Sequence, residues 1–209
     1  MKIAPSILTA NFNHLKAEIE SVMSADLLHI DIMDGHFVPN ISFGPAITKS
    51  VSKVSKIPLD VHLMVEKPCD WIEAFHFENT KYITVHYESQ AFNQALQMIK
   101  ERGLKAGLSV KPKTDVSVLI PYLYHIDLVL IMTVEPGFGG QRFMHDMLKK
   151  VRFLKDYKTK YNLSFEIEVD GGINEKTILD AKASGVDICV VGSHLFNQKD
   201  RDKGIRELS

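Results

Sequence analysis

Strand-like and helix-like hydrophobic patterns alternate along the whole chain. Apolar or alternating runs fall at 3–8, 27–33, 58–65, 82–87, 105–110, 128–134, 165–170 and 188–192. Between them, helical patterns occupy 11–24, 45–55, 68–77, 91–102, 114–124, 145–160 and 174–184, and a short last helix is predicted over 200–208. Local chemistry agrees with these bounds. Pro68 stands in a first turn, where its missing N–H is tolerated, and Gly103 closes a helix. Thr114 is a candidate N-cap. A βα rhythm repeated eight times demands a parallel sheet, and eight is the number that closes into a (β/α)8 TIM barrel. At 209 residues the chain is short for that fold but sufficient, as a single domain over 1–209. The competing architecture, a doubly wound open sheet, is disfavoured because no Gly-x-Gly-x-x-Gly follows the first strand.

The alternation also sorts side chains by face. His29, Asp31 and Met33 point one way, and Leu28, Ile30 and Ile32 the other. His62 and Met64 oppose Val61, Leu63 and Val65, while Glu166, Glu168 and Asp170 oppose Phe165, Ile167 and Val169. Polar groups therefore face inward and apolar ones face the helices.

Composition narrows the function classes. With 45% hydrophobic and 24% charged residues the chain is of the soluble globular type. Lys plus Arg (25) balances Asp plus Glu (26), which gives no basic surface for nucleic acid or an anionic membrane. No apolar run approaches the ~20 residues of a membrane span. The opening Met1-Lys2-Ile3-Ala4-Pro5 runs straight into strand-like sequence, so no signal peptide is expected. Cys69 and Cys189 lack metal-binding spacing and fit a reducing cytoplasm.

In a barrel of this kind chemistry sits at the C-terminal ends of the strands. Those ends carry Ser6, His29, Asp31, His62, His86, Glu88, Met132, Asp170, Gly192 and Ser193. Burying such groups unpaired costs roughly 2–7 kcal/mol each. A lone histidine here is usually a hydrogen-bonded core residue, and a lone Asp before Gly usually forms a turn. Four together are different. His29, Asp31, His62 and Asp170 make a mixed N/O set suited to one divalent metal ion: zinc, ferrous iron, manganese or cobalt. Asp34 and His36, just past a strand, read as a turn and not as ligands. His86 and Glu88 read as support for a ligand or as a substrate contact.

A second constellation suits an anion. Gly137, Phe138, Gly139 and Gly140 follow the sixth strand, Gly171 and Gly172 the seventh, and Gly192-Ser193 the eighth. Glycines let backbone N–H groups approach a phosphate, and sites after strands seven and eight recur in these barrels. Met33, Met64 and Met132 face the same end and would form a flexible wall of low polarity. Trp71 and Cys189 read as packing. A metal, two aspartates and a phosphate grip point to proton transfer beside a carbonyl of a small sugar phosphate. Two carboxylates on different strands can address opposite faces of one carbon and invert it.

Ala4-Pro5-Ser6-Ile7-Leu8, residues 28–40, Asp60-Val61-His62-Leu63-Met64-Val65, residues 132–141, Glu168-Val169-Asp170-Gly171-Gly172-Ile173 and Gly192-Ser193 together resemble the ribulose-phosphate 3-epimerase family over nearly the whole chain. The resemblance implies interconversion of D-ribulose 5-phosphate and D-xylulose 5-phosphate in the pentose phosphate pathway. It implies a divalent metal on His29, Asp31, His62 and Asp170, with Asp31 and Asp170 as the acid/base pair. Ser6, His62, 137–140, 170–172, Gly192 and Ser193 match its substrate contacts, and the three methionines match its cap over the intermediate. It also implies a homo-oligomer, a dimer or a hexamer. This chain departs from the family pattern at 77–81, which lack a Gly-Ala turn, at Lys111, where Asn is usual, at His194, where a small residue is common, and in a short C-terminal segment. The alternatives are an epimerase for a hexulose phosphate such as D-allulose 6-phosphate and a catalytically silent sugar-phosphate-binding barrel. A metal hydrolase is disfavoured, because four protein ligands leave little room for a bound water.

Overall fold

A computed structural model describes residues 1–209. Each apolar run overlaps a strand: β1 (Lys2–Pro5, ahead of a 3-10 turn at Ile7–Thr9), β2 (Leu28–Met33), β3 (Leu59–Met64), β4 (Thr80–His86), β5 (Lys105–Val110), β6 (Leu128–Met132), β7 (Glu166–Asp170) and β8 (Ile188–Val191). All neighbours pair in parallel in the order β1-β8-β7-β6-β5-β4-β3-β2. A single parallel bridge between Ser6, just past β1, and His29 of β2 brings the two ends of the sheet together, so the barrel is nearly closed.

The outer layer is made of α1 (Leu15–Glu20), α2 (Pro45–Val54), α3 (Phe92–Glu101), α4 (Leu148–Lys160), α5 (Thr177–Ser184), α6 (Ser193–Phe196) and α7 (Arg201–Leu208). Three predicted helices are much reduced. The run 11–24 is helical only over α1, after a 3-10 turn at Phe12–His14. The run 68–77 holds two 3-10 turns, Pro68–Asp70 and Glu73–Phe75. The run 114–124 is a 3-10 helix over Val116–Tyr122, with Pro121 inside it. That proline removes a donor and clashes with the preceding turn, and Val116, Val118 and Ile120 add β-branched crowding, so an α ladder does not form. Its cap is Asp115, which accepts from Ser117 N at 2.8 Å, and not Thr114.

Two cores flank the sheet. Ile30, Ile32, Val61, Leu63, Val85, Leu108, Ile131 and Val169 are buried against the helices in one large cluster. Inside the barrel, Ala4, Leu27, Tyr82, Leu128, Ile188 and Val190 form a separate apolar plug. Tyr82 fits there because its hydroxyl donates to Glu166, which also pairs with Lys2. Beyond the plug the interior turns polar: His29, Asp60, Thr84, Ser109 and Glu168 have no solvent exposure.

The wall is tight at β4 and β5. A Cβ on Gly107 would lie 2.1 Å from Thr84 Oγ1 and 3.1 Å from Thr84 Cα. Gly107→Ala is therefore expected to lower stability by about 1–3 kcal/mol, the range for overpacking. Urea unfolding measures it, and an unchanged midpoint contradicts the packing described.

Candidate active site

Strand register carries the predicted residues to one level. Asp31 stands opposite His62 in the β2–β3 pair, and Met132 opposite Asp170 in the β6–β7 pair. Ligand atoms of His29, Asp31, His62 and Asp170 all lie within 4.8 Å of one another. His29 Nε2 is 3.3 Å from Asp31 Oδ1. His62 Nδ1 is 3.1 Å from the same oxygen and 3.9 Å from Asp170 Oδ2. Ser6 Oγ donates to Asp31 Oδ2 at 2.6 Å, so both oxygens of that carboxylate are engaged.

This cluster fits a cation on its own chemistry. His29 Nε2 is buried without a hydrogen-bond partner. The buried residues include Asp31, Asp60 and Glu168 but no lysine or arginine. Carboxylates in that setting need a proton or a metal. The four residues could hold a metal ion.

Their electrostatics differ. Burial opposes ionisation of Asp31, but His29 and then His62 outweigh it and hold the carboxyl well below the usual range. Burial, and then the Asp31 charge, push Asp170 up to about 6. Burial resists charge on His29, yet Asp31 and Asp60 lift its pKa well above the ordinary imidazole value. Glu168 is raised by burial and by Asp60.

Behind His62 stands His86, with 2.8 Å between the two Nε2 atoms. Burial lowers His86 to about 4. Its Nδ1 is 3.5 Å from Glu88, which accepts from Lys111 N and from the Thr114 hydroxyl. The Phe37 ring packs on His86 at 4.8 Å, and Lys111 Nζ sits 3.7 Å from the Phe37 centroid. The unusual lysine thus braces the wall behind His62.

Above the cluster opens a cavity of about 270 Å³. Its walls include Ser6, Asp31, Asp170, the three methionines, 137–140, Gly171, Gly172, Gly192 and Ser193. Of the residues singled out from sequence, His29 and His62 do not line it and lie fully buried beside the two aspartates, and His86 and Glu88 stand behind its wall. Gly172 sits at φ +70°, and a Cβ there would be 2.5 Å from Phe143 N, so both conformation and space require glycine. Asn40 Nδ2 donates to Gly137 O at 2.7 Å, tying the loop after β2 to the loop after β6.

Several residues of the site escape the sequence patterns. Thr9, Asn174, His194 and Asn197 line the cavity, and the buried Thr9 Oγ1 has no partner. Asp60 and Glu168 lie directly beneath, two residues before His62 and Asp170 on the same inward faces. The period-two rule already turns Glu168 inward with Asp170, and carried two residues back from His62 it turns Asp60 inward as well. Asp34 and His36 do form a turn: Asp34 Oδ1 accepts from His36 N and Phe37 N at 2.9 Å, and Oδ2 from Glu66 N at 2.7 Å.

A nearly closed eight-stranded barrel with an imidazole–carboxylate cluster under glycine-rich loops belongs to the class of (β/α)8 barrels that carry chemistry at their strand ends. The profile described as "Ribulose-phosphate 3 epimerase family" matches residues 2–196. The chain belongs to that family, and it is an enzyme of the epimerase type. Ribulose-phosphate 3-epimerase of Helicobacter pylori (strain J99) is 45% identical over 209 residues, covering 100% of this chain and 96% of the relative. The Bacillus subtilis (strain 168) protein of the same name is 46% identical, covering 100% and 98%. Among solved structures, 3-hexulose-6-phosphate synthase from Salmonella typhimurium superposes with a TM-score of 0.71 at 17% identity, covering 100% and 96%. KGPDC from Streptococcus mutans gives 0.74 at 12%, covering 99% and 94%. These two likenesses are of fold alone. No helix is long and apolar enough to cross a membrane.

The Asp34 turn holds the loop that leads into the cavity, and it should be acid-sensitive. Burial works against its ionisation, but the Glu66, Phe37 and His36 N–H groups outweigh it and depress the pKa. A depressed carboxylate stabilises the fold above its unfolded pKa, and that contribution is lost as pH falls through the folded value. Asp34→Ala is expected to cost about 1–3 kcal/mol near pH 7. Urea unfolding should show the variant and wild type converging as pH drops below the ordinary aspartate value of 3.8. A gap independent of pH contradicts the assignment.

Proposed function

We propose that this enzyme interconverts D-ribulose 5-phosphate and D-xylulose 5-phosphate by moving a proton between C3 and two carboxylates, Asp31 and Asp170. One observation supports the pairing above the others. Both carboxylates line the cavity from different strands, β2 and β7, and flank the same imidazole, with His62 Nδ1 3.1 Å from Asp31 Oδ1 and 3.9 Å from Asp170 Oδ2. Two carboxyl groups that reach one cavity from different strands are suited to act as base and acid on one carbon.

In the direction from ribulose phosphate, ionised Asp31 takes the C3 proton. The electron pair of the broken C–H bond moves toward C2, and the carbonyl oxygen gains negative charge as an enediolate. Protonated Asp170 then delivers its proton to the other face of C3, which inverts the centre. The enzyme is left with Asp31 protonated and Asp170 ionised, the state from which the reverse reaction starts. Ser6 orients Asp31 through its 2.6 Å hydrogen bond.

A divalent cation held by His29, Asp31, His62 and Asp170 would supply positive charge beside the developing oxyanion. The mixed N/O donor set suits zinc, ferrous iron, manganese or cobalt. Backbone N–H groups of 137–140, 171–172 and 192–193 bind the phosphate, and Met33, Met64 and Met132 keep water from the enediolate. Support for a reducing cytoplasm as the compartment comes from the two free cysteines. A homo-oligomer, dimer or hexamer, is proposed from the family alone.

Asp31→Asn and Asp170→Asn should each lower kcat about 10²–10⁴-fold, the usual worth of a general acid or base, with circular dichroism unchanged. Wild-type turnover in either variant overturns the pair. The pentulose phosphate should be turned over faster than D-allulose 6-phosphate, and the opposite order overturns the substrate. Chelation should abolish activity, with recovery on adding back one of the four metals; full activity in metal-free protein overturns the cofactor.

A further inference from the structure

The barrel interior contains a carboxylate that the proposed chemistry does not use. Asp60 is fully buried, lies opposite His29 in the β2–β3 register, and points to the same inward side. Its Oδ2 is 2.6 Å from His29 Nδ1. The other nearby carboxylate, Glu168, is 4.0 Å from that nitrogen. At its opposite edge, the same ring presents the orphaned Nε2 to the cluster of Asp31, His62 and Asp170.

We infer that Asp60 is a positioning residue, one that fixes the ring and tautomer of His29 so that Nε2 is offered to the metal. The inference rests on the metal site proposed above. A metal-binding imidazole carries a single proton, on the nitrogen away from the metal, and whichever group accepts that proton decides which nitrogen is free. A carboxylate at 2.6 Å from Nδ1 claims the proton there and makes the ring a stronger electron donor at Nε2. The two ligand histidines are held unequally. The nitrogen of His62 turned away from Asp31 meets a second imidazole, His86 at 2.8 Å, which brings no negative charge. Of the two, only His29 has an anionic partner on the nitrogen turned away from the cluster, and β-pairing with β3 sets the spacing, so the arrangement is built into the sheet and not into a loop.

Zinc affinity of the full chain, measured by competition with a chelating dye and without substrate, tests this apart from catalysis. Asp60→Leu keeps the branched outline of the side chain and removes the acceptor together with its charge. Its zinc affinity should fall about 10–100-fold. Asp60→Asn keeps an oxygen that can accept from Nδ1 and should recover part of the loss. In zinc-loaded wild type labelled with 15N-histidine, NMR should show the His29 proton on Nδ1 and zinc on Nε2. That last measurement stands even where Asp60→Leu fails to fold. Asp60→Leu binding zinc within twofold of wild type overturns the inference. So does a His29 ring protonated on Nε2, or a second zinc taken up by His29, Asp60 and Glu168. A wild-type protein that binds no zinc, manganese, cobalt or ferrous ion at His29 overturns the metal site itself, and the inference with it.

Discussion

Negative charge enclosed in the barrel is the constraint on which the structure depends. Asp31, Asp60 and Glu168 are buried at the level of β2, β3 and β7, with Asp170 just above, and the buried residues include no lysine or arginine. Removing such groups from water costs several kcal/mol each unless a proton, a hydrogen-bond donor or a cation compensates. The available partners are two imidazoles, His29 and His62, and a serine hydroxyl. A proton meets part of the demand at Glu168, which burial and then Asp60 raise well above the ordinary carboxyl value. The orphaned Nε2 of His29 marks where a metal would meet the rest.

That constraint divides the barrel into levels. The apolar plug around Tyr82 closes the N-terminal end with aliphatic packing and needs no charge inside. Above it, Asp60 and His29 form a short contact, and above that the metal-type cluster opens to the cavity through Asp170, whose side chain is 16% exposed. Asp31 is surrounded by positive and donor groups, while Asp170 faces Asp31 across the cluster. Similar side chains on different strands thus meet different surroundings, which lower the pKa of Asp31 and raise that of Asp170.

Much of this was legible in the sequence because strands obey a period of two. Parity put His29, Asp31, Met33, His62, Met64 and Asp170 on inward faces, and the βα rhythm put them at one end of a barrel; the register then brings them together. Helices were less legible. The apolar spacing of 114–124 suits an α-helix, but Pro121 and three β-branched residues hold it in a 3-10 form, and 11–24 and 68–77 keep only α1 and short 3-10 turns. Asp60 and Glu168 share the parity of their neighbours but lie mid-strand, one layer below the ends where chemistry is sought. Their worth depends on distances across the barrel, to His29 and to each other, that no local pattern encodes. Lys111 and Thr114 likewise act through Glu88, on a neighbouring loop.

The central claim, two carboxylates serving opposite faces of one carbon, is tested most directly by isotope placement in heavy water. Ribulose 5-phosphate converted in D2O, stopped early, should yield xylulose 5-phosphate carrying deuterium at C3, while the recovered starting sugar keeps its hydrogen. Product that retains the original hydrogen, or recovered substrate labelled as fast as product, means that a single group serves both faces and contradicts the account.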